Sequence, residues 1–388
     1  MRTRDERGGP PGAARTSNGH QEEASTQGTD SSTQTGRLPS VSVVVATRGR
    51  GPLLAGFIDA ALADPATTEL IVVLDGPDQE TFDRCTRLAR SDSRLVVIPG
   101  EHRGQAGSLE VGLLRATSDV VLLSDDDVVF GPGLVAGHAR RHAGRSGIVV
   151  VGSMPVEASP SGYPDGGRRH VGTVLYSREY DAHCDSIDCG QLAVLDGLWG
   201  GNVSLLRSDC LRVGVSSVAF PLHYHADQDF GLRLAGAGLL GVYDPALAAV
   251  HRHHCDDARF LRSSRQQGAS LMVLHRVHAD RLGSFDRDRL VTDLPRPLRS
   301  VVVIVGSSAR ATTAARLVLA TGSAVGRASG RAELVLAKLA RRIMMWHGTV
   351  AGQGPPTAVA QRGVTSSARG TASPTPEAMS PTAGAVPA

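Results

Sequence analysis

Three consecutive carboxylates, Asp125-Asp126-Asp127, follow the apolar run Val120-Val121-Leu122-Leu123. Side by side they repel, and a divalent cation is the ready way to offset that repulsion. Mg2+ and Mn2+ prefer carboxylate oxygens and are often held by one or two of them together with substrate phosphates. On an extended segment Asp125 and Asp127 share one side and Asp126 faces the other. A solvated acidic turn is the plainer alternative. A second pair, Asp227 and Asp229, opens an amphipathic pattern that runs on from Phe230. At a helix N-terminus a carboxylate is favoured by the dipole, which is a sufficient reason for both. A carboxylate kept ionised there can also accept a hydroxyl proton, the work of a general base. The run His251-Arg252-His253-His254 offers neutral imidazoles, common metal ligands, and His251 is the candidate to complete a shell begun by the aspartates.

Other loops carry weaker signals. Thr47-Arg48-Gly49-Arg50 closes a β-branched run and suits phosphate or ribose contact, as a plain loop also would. Asp75 stands in Asp75-Gly76-Pro77-Asp78, which is turn chemistry, but it could also accept hydrogen bonds from a base or ribose. Gly104-Gln105-Ala106-Gly107-Ser108 opens a helix whose free N–H groups could face a nucleotide. Gly200 and Gly201, ahead of Asn202, would let the backbone approach a sugar closely or simply bend it. Cys184 and Cys189 with His183 invite a zinc reading, but no second pair has matching spacing.

Those loops need a frame, and the first half of the chain supplies one. Short apolar strands at 40–46, 70–74, 95–98, 120–123 and 148–151 alternate with helical patterns at 52–63, 78–90, 106–116 and 133–143. This is the signature of an α/β fold with a mostly parallel sheet covered on both faces. Ligands then sit at the carboxyl ends of the strands, where these loops lie. The 388 residues, with a net charge of +3, fit one large domain plus an extension and do not suit a dedicated nucleic-acid binder. Mean hydropathy is −0.08, and no apolar run reaches the ~18 residues of a membrane helix. Five scattered cysteines fit a reducing cytosol. The N-terminal segment has no apolar core of a secretion signal.

In order and spacing, from about residue 39 to 270, these segments resemble a family 2 glycosyltransferase with the GT-A fold. SVSVVVATRGR is similar to the family's first strand and nucleotide-facing loop. LIVVLDGPDQ is similar to the segment whose Asp contacts the nucleobase, here Asp75. HRGQAGSLEVGLLRATSDVVLLSDDDVV is similar to the run ending in the DxD motif, carried onto Asp125 and Asp127. GLWGGNVSLLRSDCLRVG resembles the acceptor-side segment, with Gly201 and Asn202. HADQDFGLRLAGAG resembles the ED-x-D motif, with Asp227 as base, or Asp229 if the register slips by two. The family's Glu is Ala226 here. AAVHRHH resembles the region where some members supply a His metal ligand, His251.

The resemblance implies transfer of a sugar from a nucleotide-diphospho-sugar to an acceptor hydroxyl. The donor would be bound by Thr47, Arg48, Asp75, Gly104, Gln105, Asp125, Asp126, Gly201 and Asn202. Mn2+ or Mg2+ would be held by Asp125, Asp127 and His251. One displacement with Asp227 as base would invert the anomeric centre. The acceptor would be a glycan, a lipid-linked sugar or a small molecule, and no nucleic acid is expected. The competing readings are a degenerate GT-A domain that binds nucleotide or glycan or aids assembly, and a nucleotidyltransferase. The expected organisation is a disordered tail at 1–38, the GT-A domain at 39–285, a mainly helical extension at 286–351 and a disordered tail at 352–388. Within the extension, 332–346 reads as an amphipathic helix docked on the catalytic domain, or else lying on a membrane surface. The expected location is the cytoplasm, with the inner face of the plasma membrane as the peripheral alternative.

Overall fold

The computed structural model describes residues 37–157, 170–326 and 329–351. The two expected disordered tails, apart from residues 37 and 38, lie outside the described residues. The elements run β1 (Val41–Thr47), α1 (Gly51–Ala63), β2 (Thr67–Leu74), α2 (Gln79–Ala89), β3 (Leu95–Ile98), α3 (Gly104–Arg115), β4 (Val120–Asp125), β5 (Val128–Phe130), α4 (Leu134–His142) and β6 (Ile148–Gly152). Then come α5 (Val171–Asp188), β7 (Asn202–Leu206), α6 (Arg207–Val213), α7 (Ala226–Gly236), β8 (Leu240–Asp244) and β9 (Ala249–His251). The chain ends in helices α8 (Asp257–Val277), α9 (Ala279–Leu282), α10 (Arg296–Gly306), α11 (Ala311–Gly326) and α12 (Gly330–Ala351).

Seven strands form one sheet in the order β3-β2-β1-β4-β7-β6-β8. β3, β2, β1 and β4 are mutually parallel, while β7 runs antiparallel to both β4 and β6. The GT-A architecture expected from the sequence is therefore present. The first strands are apolar on both faces because both are covered. Val43 and Val45 join the cluster under α1 and α4, whereas Val44 joins the one under α3 and α7. Strand order reverses between β1 and β4, which opens a crevice at their carboxyl ends. The register sets Ala46 beside Asp125 and Thr47 beside Leu74 at that edge.

The second half holds what periodicity did not announce. α5 and α8 are long helices, and β5 pairs with β9 in a separate antiparallel ribbon with Val128 opposite His251. A third apolar cluster joins α5 and α8 to α10, α11 and α12. In it Ala337, Ala340, Ile343, Met344 and Trp346 of α12 are buried, so the apolar stripe of that helix is covered by protein. No helix among the described residues is long and apolar enough to cross a membrane.

Candidate active site

β4 ends at Asp125, and the tight turn into β5 carries Asp126 and Asp127. Pairing of β5 with β9 brings His251 over that turn, and His251 Nε2 lies 3.2 Å from Asp127 Oδ1. His253, two residues on, falls on the same side. Asp127, His251 and His253 form the one group of metal-capable donors found close together among the described residues, with ligand atoms within 4.8 Å of one another. Asp125 is not in that group, although the sequence suggested it, and His253 is the member that the sequence reading passed over. Its signal was the i, i+2 spacing of histidines at a strand end. One carboxylate with two imidazoles fits Mn2+ better than Mg2+, which favours all-oxygen shells. Desolvation, with the neighbouring charges of His251 and Arg259, lowers His253 to about 3. A neutral imidazole is the form that ligates.

Arg50 occupies the other side of the acidic turn. Its Nη1 donates to Asp126 Oδ1 at 2.8 Å and to Asp127 Oδ2 at 2.5 Å. Burial opposes the Arg50 charge, but Asp127 and Asp126 outweigh it and hold the guanidinium protonated. Burial likewise opposes the Asp127 charge, yet the hydrogen bond and charge of His251, with Arg50, keep this carboxyl below its usual range. Asp125 differs. Desolvation, reinforced by the charges of Asp127, Asp126 and Asp227, pushes it up to about 7 against the pull of His251. Gln105 Nε2 donates to its Oδ1.

Thr47, at the end of β1, donates from Oγ1 to Asp126 Oδ2 at 2.7 Å, so its role is to fix that carboxylate. Arg48 is exposed at the rim of the same cleft. Asp75 follows β2 and turns its Oδ1 onto the N-terminus of α3, accepting from the N–H groups of Arg103 and Gly104 at 2.8 and 2.9 Å. That leaves Oδ2 for the cavity that Asp75, Gly104 and Gln105 line. This cavity holds about 580 Å³ and contains Asp125, Asp126, Asp127, His251 and His253 at its floor.

A second cavity of about 540 Å³ shares Gln105, Asp125, Tyr176 and Trp199 with the first and is lined further by Gly200, Gly201 and Asp227. Asp227 sits in the first turn of α7. Its Oδ2 accepts from Gly200 N–H at 3.0 Å and its Oδ1 from Gln228 N–H at 2.9 Å. His225, the N-cap, is held at φ +64, the one positive value at a non-glycine among the described residues. Ala226, in place of a Glu, packs against the apolar cluster of Phe220, Leu232 and Leu274. Asp229 lies outside the lining of both cavities. It is buried, with Arg233 Nε at 2.9 Å and His278 Nε2 at 2.8 Å, and so ties α7 to the end of α8.

Asn202 departs from the expected sugar contact. Its Oδ1 meets His138 Nε2 at 2.9 Å, and its Nδ2 donates to the carbonyls of Leu247 and Ser153. It is fully buried behind the sheet in a network with His138, Ser204 and His142. Successive residues of a strand face opposite sides. Gly201 therefore borders Asp125 while Asn202 points away. Cys184 and Cys189, weighed as zinc ligands, are free thiols outside the metal-capable group.

Residues 42–192 match the model described as glycosyl transferase family 2. Over 93 residues the chain is 31% identical to the protein named uncharacterized glycosyltransferase YaiP of Escherichia coli (strain K12). That match spans 24% of this chain and only 23% of the relative's length. Among solved structures, the chain shares its fold with a mannosyltransferase, PcManGT from Pyrobaculum calidifontis, in complex with GDP-Man and Mn2+. The two are 17% identical with a TM-score of 0.56, over 82% of this chain and 88% of that one.

Proposed function

We propose that the protein is a metal-dependent glycosyltransferase that moves a sugar from a nucleotide-diphospho-sugar to an acceptor hydroxyl with inversion, Asp227 being the general base. The observation that carries this reading is the Gly200-Gly201 step, which lines the second cavity between Asp227 and the Asp125 that both cavities share. A Cβ at Gly200 would stand 3.3 Å from the Asp227 Cβ, and one at Gly201 would stand 3.0 Å from Asp125 Oδ2. Two adjacent residues thus separate the carboxylate suited to a base from the acidic floor suited to a diphosphate.

On this reading the nucleoside lies near Asp75 and Arg48, and the diphosphate points to Asp127, His251 and His253. Mn2+ or Mg2+ bound there would supply Lewis-acid charge neutralisation for the leaving diphosphate. Arg50 holds the acidic turn in shape, and Thr47 fixes Asp126. The acceptor enters the second cavity, and Asp227 takes its hydroxyl proton as the new C–O bond forms and the bond to the diphosphate breaks. The division into a catalytic part at 39–285 and a helical extension at 286–351, and a cytoplasmic location, belong to the same proposal. The test follows nucleoside diphosphate release from GDP- and UDP-sugars with Mn2+, Mg2+ or EDTA, and NMR of the product anomer. Release that needs metal and an inverted product are expected. Release undiminished by EDTA would contradict metal dependence, and a retained anomer would contradict the single displacement.

A further inference from the structure

The helical extension reaches into the site. α12 crosses α8 at two glycines: a Cβ at Gly268 would overlap the Met345 carbonyl, and one at Gly348 the Arg265 carbonyl. Backbones this close fix how far each helix can slide along the other. On the face of α12 that Gly348 marks lie Met345 and Arg341, at helical neighbour spacing. Both line the second cavity, and Arg341 also lines the first.

Arg341 is held in place from two sides. Its Nη1 donates to both carboxylate oxygens of Glu179 on α5, and its Nη2 to Gln267 Oε1 on α8 at 3.3 Å. A guanidinium has five N–H donors and a carboxylate about four lone-pair sites, so each partner keeps capacity for a ligand. The pair thus offers donors and acceptors side by side, which is what hydroxyl groups require, since each both donates and accepts. Beside it stands Trp199, half-buried and fixed by a 2.9 Å bond from its Nε1 to the Tyr176 hydroxyl. Its apolar ring suits the C–H face of a sugar.

Charge narrows the ligand further. The carboxylates on the second cavity are Asp125, Glu179, Asp196 and Asp227. Arg341 offsets Glu179, and Arg281 lies 2.5 Å from Asp196. Asp227 accepts only from backbone N–H groups and has no cationic side chain at salt-bridge distance among the described residues, and its field disfavours an anion.

We propose that Arg341, with Glu179 and Gln267, is the acceptor-selecting wall of the second cavity and hydrogen-bonds the hydroxyls of a neutral sugar seated against Trp199. This rests on the glycosyltransferase reading. The test is a ligand-observed NMR titration of the full chain with neutral methyl hexopyranosides and with their anionic uronate counterparts. GDP and UDP binding with Mn2+ is measured in parallel. Saturable binding of a neutral glycoside, preferred over its uronate, is expected. Arg341→Lys keeps a cation opposite Glu179 but loses the planar fork. It should weaken glycoside binding about ten-fold, the equivalent of one good hydrogen bond, with a smaller loss of nucleoside diphosphate binding because Arg341 also borders the first cavity. Wild-type glycoside affinity in Arg341→Lys would overturn the proposal and leave Arg341 a latch between helices. Preference for the uronate would overturn it too. Nucleoside diphosphate binding without any glycoside binding would overturn it and leave the glycosyltransferase reading standing. Absence of both would remove the two together.

Discussion

Replacing Asp227 by Asn separates catalysis from architecture at a cost that the structure lets one work out. Both carboxylate oxygens accept a backbone N–H, from Gly200 at 3.0 Å and Gln228 at 2.9 Å. An amide has one acceptor oxygen, so one of these N–H groups loses its partner and the other trades an anionic acceptor for a neutral one. Hydrogen bonds to a charged group are worth about 1.5–3 kcal/mol, and Asp227 is only half-buried, so water recovers part of the loss. Removing a negative charge from the first turn of α7 adds about 0.5 kcal/mol. The variant should therefore be destabilised by about 1–2 kcal/mol, a fall of a few degrees in melting temperature. Turnover should fall about 10²–10⁴-fold, the usual contribution of a general base, or roughly 3–5.5 kcal/mol in the barrier. Nucleoside diphosphate binding should not change, because Asp227 lines the second cavity and not the first. Steady-state kinetics beside calorimetric nucleotide binding gives both numbers. A kcat within about three-fold of wild type, in a folded variant, would refute the base assignment.

Gly201→Ala puts a side chain at φ +105, with its Cβ 2.8 Å from Met154 Sδ and 3.0 Å from Asp125 Oδ2. A loss of about 1–3 kcal/mol in chemical denaturation is expected, and an unchanged midpoint would contradict the assigned backbone. Gly268→Ala should prise α8 from α12 and cost about 1–3 kcal/mol, measured the same way, with no loss if the helices can slide. His138, fully buried, has its pKa lowered by desolvation to about 4, and His142 behaves alike. Between pH 6.5 and 4 the unfolded chain therefore binds protons that the folded one does not. Stability should hold above pH 6.5 and fall as pH drops toward 4, by on the order of 3 kcal/mol for His138. His138→Gln should flatten that slope in pH-dependent melting, and an unaltered slope would place the titration elsewhere.

How much of this was legible depended on what each element faces. β1, β2 and β4 were plain because parallel strands covered on both sides must be apolar throughout, as Val43, Val44 and Val45 are. α5 gave no such signal. Its Tyr176, Glu179, Tyr180 and His183 share one face by spacing, but three of them line cavities, so no apolar stripe forms. The carboxylates were legible as a group because each follows a strand or opens a helix. Their division of labour was not, since the β5–β9 pairing that brings His251 and His253 to Asp127 joins residues far apart in sequence. In the loop, the sequence points to Arg48 and leaves Arg50 without a role. Gly49 at φ +66 turns the chain there, and Arg50 is the one that reaches the acidic turn. Gly201 and Asn202 look alike as neighbours in the sequence, but strand alternation turns only Gly201 toward Asp125, and Asn202 bonds to His138 instead.

The most direct test of the account is the melting temperature of the protein with UDP, GDP, dTDP and CMP, each with and without Mn2+, in wild type and in Asp127→Ala. The account predicts stabilisation of wild type by one nucleoside diphosphate only when Mn2+ is present, and none in the variant. The same shift without metal, or an undiminished shift in Asp127→Ala, would contradict it. A folded wild-type protein that responds to none of them would contradict it as well, and would favour a domain that keeps the fold without the donor site.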